Sequence, residues 1–248
     1  MAFGAIIIGD EILSGKRQDK HFVKVIEILA KRGLELSWCE YLGDDRARIT
    51  AVLKRTFAGQ DIVFSFGGIG ATPDDHTRQS AAAALDVAME IHPEAVKEII
   101  ARFGDAAYPH RVLMAEFPMG AAMVPNPFNR IAGFNVGRHY FLPGFPEMSW
   151  PMMESVLDTH YSQLFNTTPT VEEVIITEGA GEGDLIDAMN DIVTRYPELK
   201  LSSLPKLVVD NRRIIEFSLK GNAARVSAAM AIMKQAVIRL GFRYNEKC

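Results

Sequence analysis

Two runs near the start of the chain carry almost no polar positions. Residues 3–8 include Phe3, Ile6, Ile7 and Ile8, and residues 61–66 include Ile62, Val63, Phe64 and Phe66; each run halts at a glycine. Their length and β-branched or aromatic content predict strands buried on both faces. Between them, Phe22, Val23, Ile26, Leu29 and Ala30 recur at helical spacing over 19–32, with Gly33 placed to end the helix. A second strand is expected over 34–42, and a helix runs from Asp44 and Asp45 to Phe57. Strands alternating with helices define an α/β domain with a mostly parallel sheet and helices on both faces.

Further on, residues 79–85 and 92–103 predict helices. Helical spacing continues over 108–117, with Arg111 on the polar side, where it is a solvated charge or a phosphate clamp. Short strands at 120–124, 131–136 and 139–142 read as a hairpin-rich extension before a helix over 147–164. Asn166, Thr167, Thr168 and Pro169 mark a polar boundary. The expected domains are therefore 1–166 and 167–248. The second is a small α+β module: strands at 171–177, 200–204 and 213–220, helices at 184–196 and 223–240, and a short last strand at 242–244. Met230 and Met233 fall on its apolar helix face and read as core.

The candidate chemistry lies where the two buried strands end. The 67–77 loop carries Gly67, Gly68, Gly70, Thr72, Asp74, Asp75 and Thr77. In open α/β sheets, ligands bind beyond the carboxyl ends of the strands. Glycines let backbone N–H groups approach a phosphate, and threonines add hydroxyl donors. Two adjacent carboxylates beside such a cradle repel an anion unless a divalent metal lies between them, so Asp74 and Asp75 point to a hard cation such as Mg²⁺. The first strand also ends in glycine and acid, at Gly9, Asp10 and Glu11, which puts a second acidic pair on the same edge. The alternative is an ordinary turn with Asp10, Asp74 or Asp75 as a cap. Pro143, Gly144, Phe145 and Pro146 form a stiff loop suited to wall a flat ligand. His21 on the first helix could reach the same sheet edge, but a lone histidine in a helix reads sooner as a surface or packing residue. The glycines at 179, 181 and 183 lack nearby Lys or Arg and read as a turn capped by Asp184.

Composition narrows the classes. The chain has 248 residues, is 48% hydrophobic and 23% charged, and carries a formal charge of -4. This fits a soluble globular protein with two cores, and scattered Lys and Arg leave no footprint for nucleic acid. Cys39 and Cys248 lack zinc-site spacing and imply a reducing compartment. The start has neither a basic segment nor a signal-length apolar core, and no run reaches membrane-spanning length, so a cytoplasmic protein is expected.

Four segments taken together resemble the molybdopterin-binding (MogA/MoaB-like) domain, and more closely its CinA-like, competence/damage-inducible branch. They are residues 8–15, the 67–77 loop, Asn126-Pro127 followed by Gly133-Phe134, and residues 142–148. The resemblance covers roughly the first two-thirds of the chain. A weaker likeness at Gly183-Asp184 and Tyr196-Pro197 implies a KH-like C-terminal domain. The chain then stops, so the nicotinamide-mononucleotide deamidase domain of full-length relatives is expected to be absent. Phe66, Ala71, His21 and Ile131-Ala132 depart from the threonine, proline, asparagine and Ala-Pro usual in the branch.

The resemblance implies a three-layer α/β/α fold, a small phosphorylated ligand of nucleotide-diphosphate or molybdopterin type, and commonly a homo-oligomer. It further implies a divalent-metal-dependent nucleotide pyrophosphatase acting on ADP-ribose or FAD. On this reading Gly67, Gly68, Gly70, Thr72, Asn126, Pro143 and Gly144 bind the ligand. Asp75, Asp10 and Glu11 are catalytic, Asp74, Asp75 and Asp10 hold metal, and Asp44 is a further site acid. The alternative is a non-hydrolytic molybdopterin-binding protein of cofactor assembly. RNA binding by the C-terminal module is not expected, because it lacks a Gly-X-X-Gly loop with basic flanks.

Overall fold

In the computed structural model, residues 2–166, 170–207 and 213–247 are described. The Thr167, Thr168 and Pro169 part of the expected boundary, and Cys248, lie outside them. The chain forms two compact units, 1–165 and 166–248.

The first unit is built on a six-stranded sheet. Strand β1 (Phe3–Ile8) lies between β2 (Leu36–Leu42) and β3 (Ile62–Phe66), parallel to both. Short helices α1 (Asp10–Leu13) and α2 (His21–Ala30) follow β1, and α3 (Arg46–Phe57) follows β2. Asp45 caps α3 by accepting the Arg48 N–H at 2.9 Å. Helix α4 (Thr77–Leu85) follows the glycine loop. Strand β4 (Met89–Ile91) then leads to α5 (Pro93–Phe103).

Residues 108–117 do not form the expected helix. Arg111–Ala115 make a short 3₁₀ turn, and β5 (Glu116–Pro118) pairs antiparallel with β4. Pro109 and Pro118 bound a stretch too short for a stable helix. The ladder also engages its backbone, with the His92 N–H on the Ala115 carbonyl at 2.8 Å. Phe117 is buried and stacks on Phe134 at 5.1 Å.

The hairpin-rich extension is also corrected. Strands β6 (Ala122–Val124), β7 (Gly133–Val136) and β8 (His139–Leu142) complete the main sheet, whose order is β2-β1-β3-β8-β7-β6. β8 is parallel to β3, and β7 and β6 run antiparallel beyond it. The 143–146 loop therefore leaves the same sheet edge as the glycine loop. It starts helix α6 (Pro146–His160).

Alternation along β1 separates two cores. Phe3, Ala5 and Ile7 pack with Val25, Ile28 and Leu29 of α2 and with Met152, Met153 and Leu157 of α6. Ile6 and Ile8 pack with Ile49 and Leu53 of α3, Ala81 of α4 and Ile99 of α5. The sheet thus lies between two helical layers, the three-layer arrangement.

In the second unit, β9 (Thr170–Glu178), β10 (Lys200–Leu207), β11 (Arg213–Asn222) and β12 (Arg243–Glu246) form an antiparallel sheet in the order β10-β11-β9-β12. Helices α7 (Glu182–Arg195) and α8 (Ala223–Arg239) share its core, which includes Phe217, Met230 and Met233. Asp184 accepts the Gly181 N–H at 2.8 Å, securing the turn before α7.

Candidate functional site

The glycine loop is set by contacts that admit no side chain at residue 67. Gly67 has φ +105°, and a Cβ there would lie 2.3 Å from the Ile8 carbonyl oxygen. Thr77, buried at the start of α4, holds the loop from behind: its hydroxyl donates to the Gly67 carbonyl at 3.0 Å and its N–H to the Gly68 carbonyl at 2.9 Å. Arg78, 2% exposed, braces the far end. Its guanidinium donates to the carbonyls of Gly70 at 2.6 Å, Leu113 at 2.5 Å and Glu116 at 2.9 Å. The N–H groups of Gly68, Ile69, Gly70 and Ala71 donate to no acceptor among the described residues. Consecutive free N–H groups of this kind form an anion-binding concavity.

The loop faces a cavity of about 480 Å³. Of the residues expected to bind or act, Gly67, Gly68, Gly70, Thr72, Glu11, Asp74, Asp75, Pro143 and Gly144 line it together. Asp10 and Asn126 do not. Asp10 is exposed and exchanges hydrogen bonds with Asp44: its N–H donates to Asp44 Oδ2 at 2.9 Å, and its Oδ1 accepts the Asp44 N–H at 3.1 Å. Asp44 is the partner that reaches the lining. Asn126 is buried, with its amide donating to Asn129 Oδ1 and to the Ile131 carbonyl, while Asn129 lines the cavity. Arg111 donates to the Ala106 carbonyl at 2.6 Å, rests against Phe103 and is not part of the lining.

Asp75 holds a tight turn. Its Oδ2 accepts the Thr72 N–H at 2.9 Å and the Thr72 hydroxyl, and its own N–H donates to the Thr72 carbonyl at 3.0 Å. The other carboxylate oxygen accepts no hydrogen bond from the described residues. The Asp74 carboxyl, beside Thr72 and its own backbone N–H, is held below its ordinary range. Burial raises the Asp44 value instead, and the charges of Asp10, Glu11 and Asp74 push the same way against the opposing Asp10 N–H. The site is therefore over-supplied with negative charge.

The opposite wall is aromatic. His21 stacks on Phe66 at 4.6 Å and 20°. Trp150 Nε1 donates to His21 Nδ1 at 3.3 Å, which leaves the proton on Nε2, directed to the Gly144 carbonyl at 3.1 Å. Burial lowers the His21 pKa, against the raising effects of that carbonyl, Asp19 and Glu147. A Cβ at Gly144 would stand 3.3 Å from the Gly67 Cα, so this wall rests directly on the glycine loop. Sequence reasoning favoured a surface or packing role for His21 over a place at the sheet edge, and missed Arg17 and Asn129 in the lining. Helical periodicity could place His21 but not its partners, and no periodic signal marks the other two.

The surplus charge leads to a specific expectation for Asp44→Asn. Asparagine still accepts the Asp10 N–H but carries no charge. A carboxyl whose folded pKa is raised opposes folding once ionised, so the variant is expected to melt at or above the wild-type temperature at neutral pH. That gain should shrink as pH falls through the raised value and vanish below the ordinary 3.8. Thermal melts of both proteins across acid pH check it.

A carboxylate-lined cavity with a glycine loop at its floor lies beyond the carboxyl ends of a mostly parallel sheet, the place where open α/β domains bind ligands. Residues 4–162 match the family model described as "Probable molybdopterin binding domain", and the chain belongs to that family. Within it the relatives are CinA-like. A CinA-like protein of Anaeromyxobacter sp. is 36% identical over 145 residues, covering 56% of this chain and 35% of its own length. A protein of Clostridium botulinum strain Kyoto, described as competence-damage inducible, is 26% identical over 94% of this chain and 58% of its own. The chain thus spans about a third to three-fifths of these relatives. The crystal structure of CinA from Thermoplasma acidophilum, of unknown function, aligns with TM-score 0.58 and 25% identity, covering 63% of this chain and 96% of that one. No helix among the described residues is long and apolar enough to cross a membrane.

Proposed function

We propose that the first unit is a divalent-metal-dependent nucleotide pyrophosphatase, binding a dinucleotide of ADP-ribose or FAD type and hydrolysing its diphosphate. The observation that carries this reading is the meeting of four unpaired loop N–H groups and four carboxylates, Glu11, Asp44, Asp74 and Asp75, in one cavity.

The donor set fits a Mg²⁺-like ion in a particular way. Among the described residues no three His, Cys, Asp or Glu side chains are grouped to hold a metal alone. Mg²⁺ is commonly held by one or two carboxylates together with substrate phosphates and water, so a site completed by the ligand is what this cation requires. Asp74 and Asp75 would hold it, and Asp10 acts through Asp44. When bound, the cation supplies neutralisation of the diphosphate charge.

The chain's own groups do the rest. The N–H groups of residues 68–71 bind one phosphate and fix its orientation. The free oxygen of Asp75 accepts a proton of the water that attacks one phosphorus, while Thr72 keeps that carboxylate aimed; the P–O bond to the bridging oxygen breaks, and the other half leaves as a phosphate monoester. The Gly144 and Phe145 wall confines the flat end of the ligand. Cytoplasmic location and assembly with further copies of the chain remain part of the proposal.

The test incubates purified protein with ADP-ribose and FAD in the presence of magnesium, manganese or cobalt, with a chelated control. Release of nucleoside monophosphate only with metal is expected. No monophosphate from any dinucleotide defeats the proposal. Tight binding of a molybdopterin precursor without turnover would then favour a carrier role.

A further inference from the structure

The cavity has a cradle for one phosphate, but a diphosphate brings two. Among the lining residues Arg17 is the single Lys or Arg, set against four carboxylates. Its guanidinium makes no hydrogen bond or ion pair among the described residues, although carboxylates line the same cavity. The backbone that carries it is pinned: the Arg17 N–H donates to the Glu11 carbonyl at 3.0 Å, and the Ser14 and Gly15 N–H groups close onto Asp10 and Ile12. The other nearby guanidinium, on Arg78, is committed to three carbonyls behind the loop.

We propose that Arg17 is a ligand-binding residue that takes the second phosphate of a diphosphate whose first phosphate rests on the 68–71 N–H groups. This deepens the hydrolytic reading, since it assigns the class of anion, a diphosphate over a monophosphate. Guanidinium is permanently charged and forks onto two phosphate oxygens, which a lone cation facing an acidic cavity must do to admit a doubly phosphorylated ligand. Lysine offers the charge without the fork.

Calorimetry with inorganic pyrophosphate and orthophosphate, each with magnesium, tests the inference independently of turnover. Wild type should prefer pyrophosphate. Arg17→Ala should weaken pyrophosphate binding about tenfold and orthophosphate less than twofold, with Arg17→Lys between them. The Arg17-dependent part should decline with ionic strength, because the side chain is exposed. Wild type that binds no pyrophosphate, Arg17→Ala that binds it equally well, or an equal loss for both anions overturns the inference. Arg17-dependent pyrophosphate binding by a protein that cleaves no dinucleotide supports the inference while the hydrolytic reading fails. Circular dichroism of the variants should match wild type.

Discussion

Gly67→Ala is expected to destabilise the first unit by about 3 kcal/mol, through strain at positive φ plus a clash. The added methyl meets the Ile8 carbonyl at 2.3 Å, and Ile8 ends a central strand held by β2 through Leu42 and by β3 up to Ile7, so its backbone cannot move aside cheaply. For a unit of this size the loss corresponds to a fall in melting temperature of roughly 6–12 °C. Gly120→Ala is the control. Gly120 also has positive φ, +80°, in the turn closed by the Ala121 N–H on the Pro118 carbonyl, but a Cβ there meets nothing within 4 Å, so only the conformational part, about 1 kcal/mol, should appear. Any Gly67→Ala protein that folds should also bind pyrophosphate poorly, because relieving the clash displaces the N–H groups that follow. Differential scanning calorimetry of both variants separates the two contributions, and equal losses would remove the clash from the account.

Asp75→Asn has the opposite signature. Asparagine Oδ1 can still accept the Thr72 N–H and hydroxyl, so the turn and the melting temperature should barely change. The lost charge and proton acceptor should reduce turnover of ADP-ribose by about a hundredfold, the scale of losing one strong electrostatic contact. Full activity in the variant at saturating metal would leave Asp75 with the turn alone, and Glu11, Asp44 and Asp74 as the remaining acids. Steady-state kinetics together with a melt on one preparation distinguish these outcomes.

The legible parts of this chain were those with a local physical signature. β1 and β3 are buried on both faces, so their sequences are apolar runs ending in glycine, with Ser65 the one polar side chain among them. The loop beyond β3 announced itself by pairing glycines with acids. Strands β6, β7 and β8 are three or four residues long, too short for their own sequence to say which sheet they join. β8 joins β3 through residues about 75 positions apart, and β7 and β6 follow through it. The 108–117 stretch had helical spacing, but ladder formation with Met89–Ile91 overrode it. Within the site, the short α1 helix decides that Glu11 reaches the cavity while Asp10 turns to Asp44. In the same way Asn126 braces Asn129 instead of lining the site itself. Which of two neighbouring side chains reaches a cavity is settled by backbone geometry, to which composition is blind. Arg17 sits in an exposed loop with no periodicity, and only the cavity around it distinguishes it from other surface cations.

If the 68–71 N–H groups and the neighbouring acids together hold a metal-bridged diphosphate, a crystal structure with magnesium and the methylene-bridged, non-hydrolysable analogue of ADP-ribose will show it. One phosphate is expected on the N–H groups of Gly68, Ile69, Gly70 and Ala71, a cation shared between that phosphate and Asp74 or Asp75, and the second phosphate toward Arg17. A phosphate bound away from this loop, or a diphosphate seated on it with no cation in saturating magnesium, would overturn the proposed function.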